Sequence, residues 1–399
     1  MVFLSPTKRQ SHIQPIHNFF LPVSVMKTDN VISTYLLPWE HEIIIHGYSN
    51  DMPMNDKCFD PIGGDIGTEC SDFEVEEIPA YQPCGTGEHL YLWIEKTAHP
   101  TQDLIRIAER IFNVRESAIG CAGKKDTHAT TRQWISIQTH LNEVDVQDRI
   151  EQFSSHSWLK ILKYTRHTNK LRTGHLIGNH FKIRLNHVTA EDQAIHHACE
   201  ILMHQGFINY FGRQRFGFER ANVAEGLKIM AGARAKHQQR LLYINAIQSA
   251  LFNLTAARRF HTCGMKAFEG DVMRKHNAGC FICDAPDIDN ARVENHEIYV
   301  TLPLPGKKTM HGHGFTEELE AKALEDFISC WKQQPETVSY DFSSLINLAD
   351  GDRRQMWIFP ENLIFHRQDN ESITVDFTLS SGSYATILLR HLCGPSFTR

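Results

Sequence analysis

The chain has 399 residues, of which 41% are hydrophobic and 22% charged, a composition typical of a folded globular protein with two or three domains. No apolar run is long enough to span a membrane, and the ten scattered cysteines are typical of reduced thiols in the cytoplasm rather than of a disulfide framework. The formal net charge of −6 argues against a nucleic-acid partner unless the positive charges are clustered.

The first part of the chain predicts an extension followed by regular elements. Residues 1–60 show no sustained periodicity apart from a possible strand over residues 41–46, so we expect little independent fold there. The glycines of residues 63–67 are typical of a flexible connector. Apolar patterns then predict two strands and a helix, over residues 72–78, 89–95 and 101–113. Thr101 is the expected N-cap of that helix.

A polar loop, residues 123–128, holds the carboxylate of Asp126 beside Lys124 and Lys125. It lies between two predicted strands, over residues 118–122 and 134–137. Neighbouring positive charge favours the ionised carboxylate, which suits catalysis but also occurs in an ordinary solvated turn. A phosphate-binding P-loop is excluded, because Ala118 replaces its first glycine and Lys125 its Ser or Thr.

Positive charge is concentrated after this loop, although the whole chain is acidic. Residues 152–190 contain no Asp or Glu, and residues 213–240 contain only two. The cations of the first stretch are Lys160, Lys163, Arg166, Lys170, Arg172, Lys182 and Arg184. This clustering favours a basic surface for a phosphate backbone over scattered surface charge. The region also predicts a helix, two strands and a helix, over residues 144–153, 158–165, 180–185 and 190–204.

Residues 208–217, INYFGRQRFG, alternate aromatic residues with glycine and arginine. Such a loop suits the stacking of a base and the binding of its phosphates, although aromatic loops also fill hydrophobic cores. From about residue 235 the sequence pattern changes, and it predicts a long helix over residues 241–260 and a β region from residue 270. A further helix is expected over residues 317–330, with Thr316 as its cap. The last predicted elements are two strands and a closing helix, over residues 353–359, 372–379 and 384–392.

A zinc site is the alternative that Cys280 and Cys283 raise, with His311 and His313 further along the chain. A single C-x-x-C pair is a weak signal, and the two histidines are closer together than the usual zinc spacing. The apolar residues between the cysteines favour a buried strand, so we expect no metal.

Three separated motifs resemble those of the TruD family of tRNA pseudouridine synthases. They are GKKDTHATTRQ at residues 123–133, NYFGRQRFG at residues 209–217, and GSYAT with a following arginine at residues 382–390. The resemblance implies an α+β fold, in which a mixed, mainly antiparallel sheet bears a central cleft and an α/β domain is inserted. The implied division is an extension over residues 1–60, a catalytic domain over residues 61–234 and 348–399, and an inserted domain over residues 235–347. We expect both strands after residue 347 to return to the catalytic domain.

The resemblance also implies the reaction, conversion of uridine at position 13 of tRNA to pseudouridine without a metal or organic cofactor. Asp126 would act as nucleophile or base, Arg390 would pair with its carboxylate, and Asn209 would order the loop around it. Phe211 would stack against the target uracil. The other groups expected to contact RNA are Lys124, Lys125, Arg132, Gln133, Lys163, Lys170 and Arg215. We expect a monomer that requires no protein partner.

One motif departs from the family pattern. Where K-x-x-P-E-D-F is usual, Gly67 and Cys70 stand in the places of the lysine and the proline. If that lysine assists RNA binding or catalysis, Lys124 or Lys125 would have to replace it. Two other functions stay open: a non-catalytic tRNA-binding or RNA-chaperone module, against which the intact Asp126 argues, and a synthase acting on another RNA.

Overall fold

The computed structural model describes residues 36–54, 59–275, 278–333 and 343–397, and the elements below lie within these ranges. The expectation for residues 1–35 lies outside the described residues. The helices are α1 Pro38–His46, α2 Thr101–Phe112, α3 Glu143–Ser154, α4 Asp192–Gln205, α5 Asn222–Met230, α6 His237–Cys263, α7 Pro286–Glu294, α8 Phe315–Lys332, α9 Ser343–Leu348 and α10 Ala385–Cys393. The strands are β1 Gly63–Ile66, β2 Phe73–Pro79, β3 His89–Thr97, β4 Ile119–Cys121, β5 Thr130–Gln138, β6 Leu159–His167, β7 Leu176–Val188, β8 Phe207–Ile208, β9 Val272–Lys275, β10 Cys280–Ile282, β11 Ile298–Leu304, β12 Asp352–Gln355, β13 Trp357–Ile358, β14 Glu361–Arg367 and β15 Ile373–Ser380.

Nine strands form one mixed sheet in the order β14-β15-β7-β2-β5-β3-β6, with β1 beside β7 and β4 beside β5. Strands β2 and β5 are parallel, and the other neighbours are antiparallel. The mixed, mainly antiparallel sheet predicted from the sequence is therefore confirmed. Parallel neighbours need a crossover connection, which β3, α2 and β4 supply here. The loop before β5 consequently lies at one end of the central strands, beside the start of β2 and the end of β3.

Strand β3 is packed on both faces. Leu90, Leu92 and Ile94 point to one face and join a core with residues of α2 and α3. The opposite face carries a smaller cluster, formed by Tyr91, Trp93, Trp134, Ala122 and Leu171. The first row continues to Lys96, whose side chain is therefore carried into a buried position at the end of the strand.

A second, four-stranded antiparallel sheet has the order β10-β9-β11-β12 and packs against α6, which also contacts α8. A fully buried ion pair, Arg259 to Asp271 at 2.6 Å, joins α6 to the residue before β9. Arg353 of β12 pairs with Glu320 of α8 at 2.9 Å. These contacts make α6, α8 and the smaller sheet one packed α/β assembly. None of the described helices is both long and apolar enough to cross a membrane.

Two predicted segments have a different structure. Residues 41–46 form part of helix α1, in which Ile43 and Ile44 are both fully buried; consecutive apolar residues suit a helix enclosed on several sides as well as a strand. Residues 63–66 form strand β1, which pairs with β7, and so are no flexible connector.

Residues 353–359, predicted to return to the large sheet, do not join it. Strand β12 pairs with β11 and strand β13 with β8, whereas β15 does pair within the large sheet.

Two predicted caps are wrong, because their hydroxyls hold other parts of the chain. The N-cap of α2 is Pro100, and Thr101 donates its hydroxyl hydrogen to Gln133 Oε1 at 3.2 Å. The N-cap of α8 is Gly314, and the hydroxyl of Thr316 donates to the carboxylate of Asp271. The other predicted helices and strands are present with shifted ends, whereas α5, α7, α9, β8 and β14 were not predicted.

Helix α1 and residues 47–53 are tied to distant parts of the chain. Tyr210 donates to the carbonyl oxygen of Pro53 at 2.8 Å, and Asn253 donates to that of Gly47 at 2.9 Å. Arg258 of α6 pairs with Glu40 at 2.6 Å. Part of the predicted extension is therefore an integral part of the fold.

Candidate active site

Asp126 is exposed on the loop between β4 and β5. The backbone of this loop is held from three sides. Gln133 Nε2 donates to the carbonyl oxygen of Gly123 at 3.3 Å, and the amide of Lys125 donates to Thr101 Oγ1 at 3.0 Å. Lys96 Nζ donates to the carbonyl oxygen of Asp126 itself at 2.9 Å. The carboxylate is thus presented to solvent from a fixed backbone.

Lys96 is the most unusual of these supports. It is 0% exposed, and its ammonium also donates to the carbonyl oxygen of His99 at 2.7 Å. Burial lowers its pKa to about 8, while the nearby Asp126 opposes that fall. A buried cation therefore lies directly behind the Asp126 loop. Lys96 was not among the predicted site residues, although a lysine that continues the apolar row of β3 was the available signal.

Lys125 is buried and paired within the protein. Its Nζ lies 3.1 Å from Glu77 Oε2, and the two side chains are 4% and 0% exposed. It also donates to Asn179 Oδ1 at 2.6 Å. Burial raises the pKa of the Glu77 carboxyl, and Lys125 opposes that rise. Lys125 therefore anchors the loop to the sheet, whereas Lys124 is exposed, and the RNA contacts of both lysines stay predictions.

Arg132 and Gln133 are also committed to the protein. Arg132 lies within 3.4 Å of three carboxylates, those of Glu74, Glu76 and Glu95. Gln133 is fully buried, where it supports the Asp126 loop. The Arg132 side chain is still 30% exposed beside these carboxylates, and the RNA contacts of both residues stay predictions. The carboxylates that neutralise Arg132 come from neighbouring strands, which the local motif could not reveal.

Phe211 lies under two arginines. It is 6% exposed, and its ring meets Phe252 and Tyr384 edge-to-face at 5.5 and 5.9 Å. The guanidinium of Arg354 lies over the ring at 4.0 Å, and that of Arg215 at 5.5 Å. An arginine therefore covers the surface expected to stack on uracil.

Arg354, on β12, was not predicted as a site residue. Its Nη2 donates to Asn209 Oδ1 at 2.6 Å and to the carbonyl oxygen of Gly382 at 3.0 Å, which joins two of the sequence motifs. Burial lowers its pKa to about 10, Tyr384 opposes the fall, and Arg215 adds to it. Neither Arg215 nor Arg354 forms an ion pair with a carboxylate within the described residues. Two neighbouring arginines without such a partner are suited to bind an anion.

Tyr384 lies beside Phe211, and its hydroxyl is influenced by the arginines and by Asp126. Burial raises the pKa of its hydroxyl, Arg215 and Arg354 lower it, and Asp126 raises it. The tyrosine is thus within electrostatic reach of all three charged groups. Tyr384 and Arg215, from two of the motifs, thus lie near Arg354 of β12, and the charge of Asp126, from the third motif, acts on Tyr384.

Asn209 and Arg390 have other partners than predicted. Asn209 accepts from Arg354 and donates to the carbonyl oxygen of Gln355 at 3.0 Å, so it orders β12 rather than the Asp126 loop. Arg390 Nη1 donates to Tyr48 Oη at 2.7 Å and to the carbonyl oxygen of Ser49 at 3.3 Å. The predicted pair between Arg390 and Asp126 is therefore wrong; this arginine ties α10 to the segment after α1.

Replacement of Arg390 by leucine is expected to reduce stability rather than chemistry. The lost hydrogen bonds leave buried partners unpaired, at a cost of about 1–3 kcal/mol. Thermal melting should show a lower Tm, while the single-turnover rate of the folded enzyme at low temperature stays at the wild-type value. A slow variant with unchanged melting would instead restore the predicted pairing with Asp126.

The two predicted lysine contacts differ. Lys163 is exposed, and its ammonium lies 5.6 and 5.2 Å from the ring centroids of Trp93 and Trp134. Lys170 donates to the carbonyl oxygen of Ser117 at 2.6 Å and keeps two further ammonium hydrogens. Both remain able to contact a phosphate.

If Lys163 contacts an RNA phosphate, Lys163→Ala should make the salt dependence of RNA binding shallower by about one unit. The matched control is Lys322→Ala, because Lys322 is already paired with Asp326 at 2.9 Å. Binding titrations at several salt concentrations give the slopes. Equal slopes for wild type and both variants would place Lys163 off the RNA path.

The C-x-x-C segment lies in the smaller sheet. Cys280 begins β10 and accepts from Arg274 Nε at 3.4 Å, and Cys283 is buried. Within the described ranges, no group of three His, Cys, Asp or Glu side chains is arranged to hold a metal ion.

Comparisons with known proteins agree with the motifs. A family model described as tRNA pseudouridine synthase D (TruD) matches residues 56–236 and 228–392. The tRNA pseudouridine synthase D of Sulfurimonas denitrificans is 33% identical over 358 residues, covering 80% of this chain and 92% of that protein. Its counterpart from Thermus thermophilus is 34% identical over 340 residues, covering 83% and 89%. A Methanosarcina mazei protein, crystallised as a candidate tRNA pseudouridine synthase D, shares the fold with a TM-score of 0.63 at 19% identity, over 90% of this chain and 99% of that one. The chain therefore belongs to the TruD family of tRNA pseudouridine synthases and is an enzyme of that family.

Proposed function

We propose that this enzyme converts uridine to pseudouridine in tRNA, at position 13, with Asp126 as the catalytic carboxylate. The observation that carries the proposal is the site itself. An exposed aspartate on a braced loop shares its surroundings with Tyr384 and with two arginines that have no carboxylate partner in the described part of the chain.

The chemistry assigns a role to each group. The glycosidic N–C bond of the uridine must break, the uracil must rotate, and a C–C bond must form. Asp126 acts either as a nucleophile or as a base at the sugar. The target base must first leave its stack, which costs a few kcal/mol. Anchoring of the adjacent phosphate by Arg215 and Arg354 offsets that cost.

Phe211 has a modified role in this proposal. Because Arg354 lies on its ring, we propose that Phe211 supports the guanidinium, which then offers its own planar surface to the flipped base. The Tyr384 ring packs edge-to-face on Phe211 at 5.9 Å and helps to hold it in place.

The direct test uses unmodified tRNA transcripts, with pseudouridine mapped by carbodiimide treatment and primer extension. We expect the primer extension to stop at the modified nucleotide 13, and this stop to be absent when Asp126 is replaced. Product only with a messenger or small RNA would move the activity to another substrate. The absence of product with any RNA would favour a binding module.

Replacement of Arg354 by lysine tests the arginine pair. Lysine keeps the charge but loses the planar fork, and a charge-assisted hydrogen bond contributes about 1.5–3 kcal/mol, so kcat/KM for tRNA should fall roughly 10- to 100-fold. Arg274→Lys is the control, because Arg274 lies in the same sheet but pairs with Asp352 at 2.7 Å. Similar small losses in both variants would remove Arg354 from the proposed site.

A further inference from the structure

A cavity of about 480 Å³ lies at the other end of β3 from the Asp126 loop. It is lined by Tyr81, His167, Asn169, Lys170, Arg172 and His175. His167 is paired with His89 at the start of β3, and Lys96, which binds the Asp126 backbone, lies seven residues further along this strand. Seven residues of strand extend about 23 Å, so the His167 side of the cavity lies away from the Asp126 loop. The side formed by Arg172 and His175 lies closer to it, because the amide of Gly174 donates to the carbonyl oxygen of Ala122 at 2.8 Å.

The cavity has an aromatic floor. The rings of Tyr81 and His167 are stacked, with centroids 5.2 Å apart and planes at 28°. Tyr81 Oη lies 2.8 Å from His175 Nδ1, and Tyr91 donates to the carbonyl oxygen of Asn169 at 2.9 Å. These contacts fix the rings in place, which favours the stacking of a flat ligand.

The rim of the cavity is positive. Lys170 and Arg172 belong to the stretch without Asp or Glu, and none of the described lining residues is acidic. Within the described part of the chain, the guanidinium of Arg172 has no hydrogen-bond or ion-pair partner, and Arg172 is exposed. Lys170 uses one ammonium hydrogen on the carbonyl oxygen of Ser117. Both cations can therefore bind an anionic group.

Lys163 lies between this cavity and the Asp126 loop. It is opposite Trp93 in the pairing of β3 with β6, roughly midway along the strand, and its ammonium covers the aromatic cluster on that face. Exposed positive charge thus continues from the cavity along the sheet towards the loop.

We propose that the cavity binds one nucleotide of the tRNA substrate other than the reacting uridine. The base stacks on the Tyr81–His167 pair, and the phosphate is held by Lys170 and Arg172. A volume of about 480 Å³ lies in the range of small-ligand sites, and aromatic rings flanked by cations are the usual composition of a single-strand nucleotide site. This inference rests on the proposed function, since it takes tRNA as the substrate.

Two variants test the proposal kinetically. Arg172→Ala should raise the KM for tRNA about 3- to 10-fold and make the salt dependence shallower by about one unit. Tyr81→Leu should raise KM about 5- to 100-fold with little change in that slope, since base stacking contributes about 1–3 kcal/mol. Arg110→Ala is the matched control, because Arg110 is an exposed arginine on α2, which covers the opposite face of the sheet.

A chemical footprint tests binding without relying on activity. Cys84 is exposed, and its Sγ lies 3.2 Å from Nδ1 of His167. Hydrogen bonds with the Thr86 backbone and with His167 lower the pKa of the thiol to about 6, so it reacts as a thiolate at neutral pH. Bound tRNA should slow its reaction with an aromatic disulfide reagent, and Cys84→Ser identifies the signal.

The outcomes separate this proposal from the proposed function. Protection of Cys84 by tRNA together with the raised KM supports the nucleotide site. Protection by tRNA without any pseudouridine product would leave the site intact and reject the activity. The proposed nucleotide site would be overturned if Arg172→Ala kept the wild-type KM and salt dependence. Equal labelling of Cys84 with and without tRNA would overturn it as well. Protection by millimolar uridine or adenosine monophosphate but not by tRNA would overturn it too, in favour of a free-nucleotide site.

Discussion

Asp126→Asn is expected to lower the isomerisation rate by at least about 10⁴-fold, the upper end of what a positioned base contributes. Asparagine keeps the size and polarity of aspartate but is neither a base nor a useful nucleophile. Its backbone contacts with Lys96 are unchanged by the substitution, so the loop and the affinity for tRNA should be retained. Single-turnover assays with excess enzyme, combined with a binding titration, measure both quantities.

Asp103→Asn is the matched control, because Asp103 is a partly exposed carboxylate on α2, paired with Arg106 at 3.1 Å. Near-wild-type turnover in the Asp126 variant would reject the catalytic assignment. A covalent enzyme–RNA species that survives a denaturing quench would identify Asp126 as nucleophile, since a base forms none.

Lys96→Met is expected to cause the second largest loss, on the order of 10²-fold in turnover, the scale associated with small displacements of a reacting group. Methionine fills similar space but cannot donate to the carbonyl oxygens of Asp126 and His99, each of which would lose a buried partner at about 1–3 kcal/mol. The variant should still bind tRNA. Lys322→Met is the control, since Lys322 lies on α8 and is paired with Asp326 at 2.9 Å.

The pH dependence of the wild type separates the charge of Lys96 from its packing. Because its pKa is lowered to about 8, Lys96 is charged below that pH and neutral above it. If the cation supports Asp126, the single-turnover rate should fall as pH rises through about 8, and this fall should be absent from Lys96→Met. A wild-type rate that is constant up to pH 9.5 would limit Lys96 to a hydrogen-bonding role.

Local pattern was sufficient for most of the fold. Apolar residues identified β2, β3, β5 and α2, because β2 and α2 bury one regular face and β3 and β5 are buried on both faces. Local pattern could not distinguish a helix from a strand where a short apolar run is enclosed on several sides, as with Ile43 and Ile44 of α1. The ends of helices were less predictable for a similar reason: Thr101 and Thr316 resemble caps but bond to distant residues.

The motifs identified the segments of the site more reliably than the roles of their residues. Lys125, Arg132 and Gln133 stand in one motif, yet all three are bound within the protein. Their partners lie on strands β2, β3 and β7 and on α2, so only the three-dimensional fold assigns them. Arg354 was missed for the converse reason, since its importance derives from Phe211 and Asn209, about 145 positions away.

The bond between Tyr48 and Arg390 has a consequence for biosynthesis, since it joins residues 342 positions apart. The segment after α1 leaves the ribosome early but cannot meet its final partner until α10 has been translated. Strand β7 likewise cannot complete its hydrogen bonds until β15, its neighbour in the large sheet, has been translated. Productive folding of the catalytic centre is therefore expected to be largely post-translational, and the nascent chain would expose the edge of β7 until β15 has been translated.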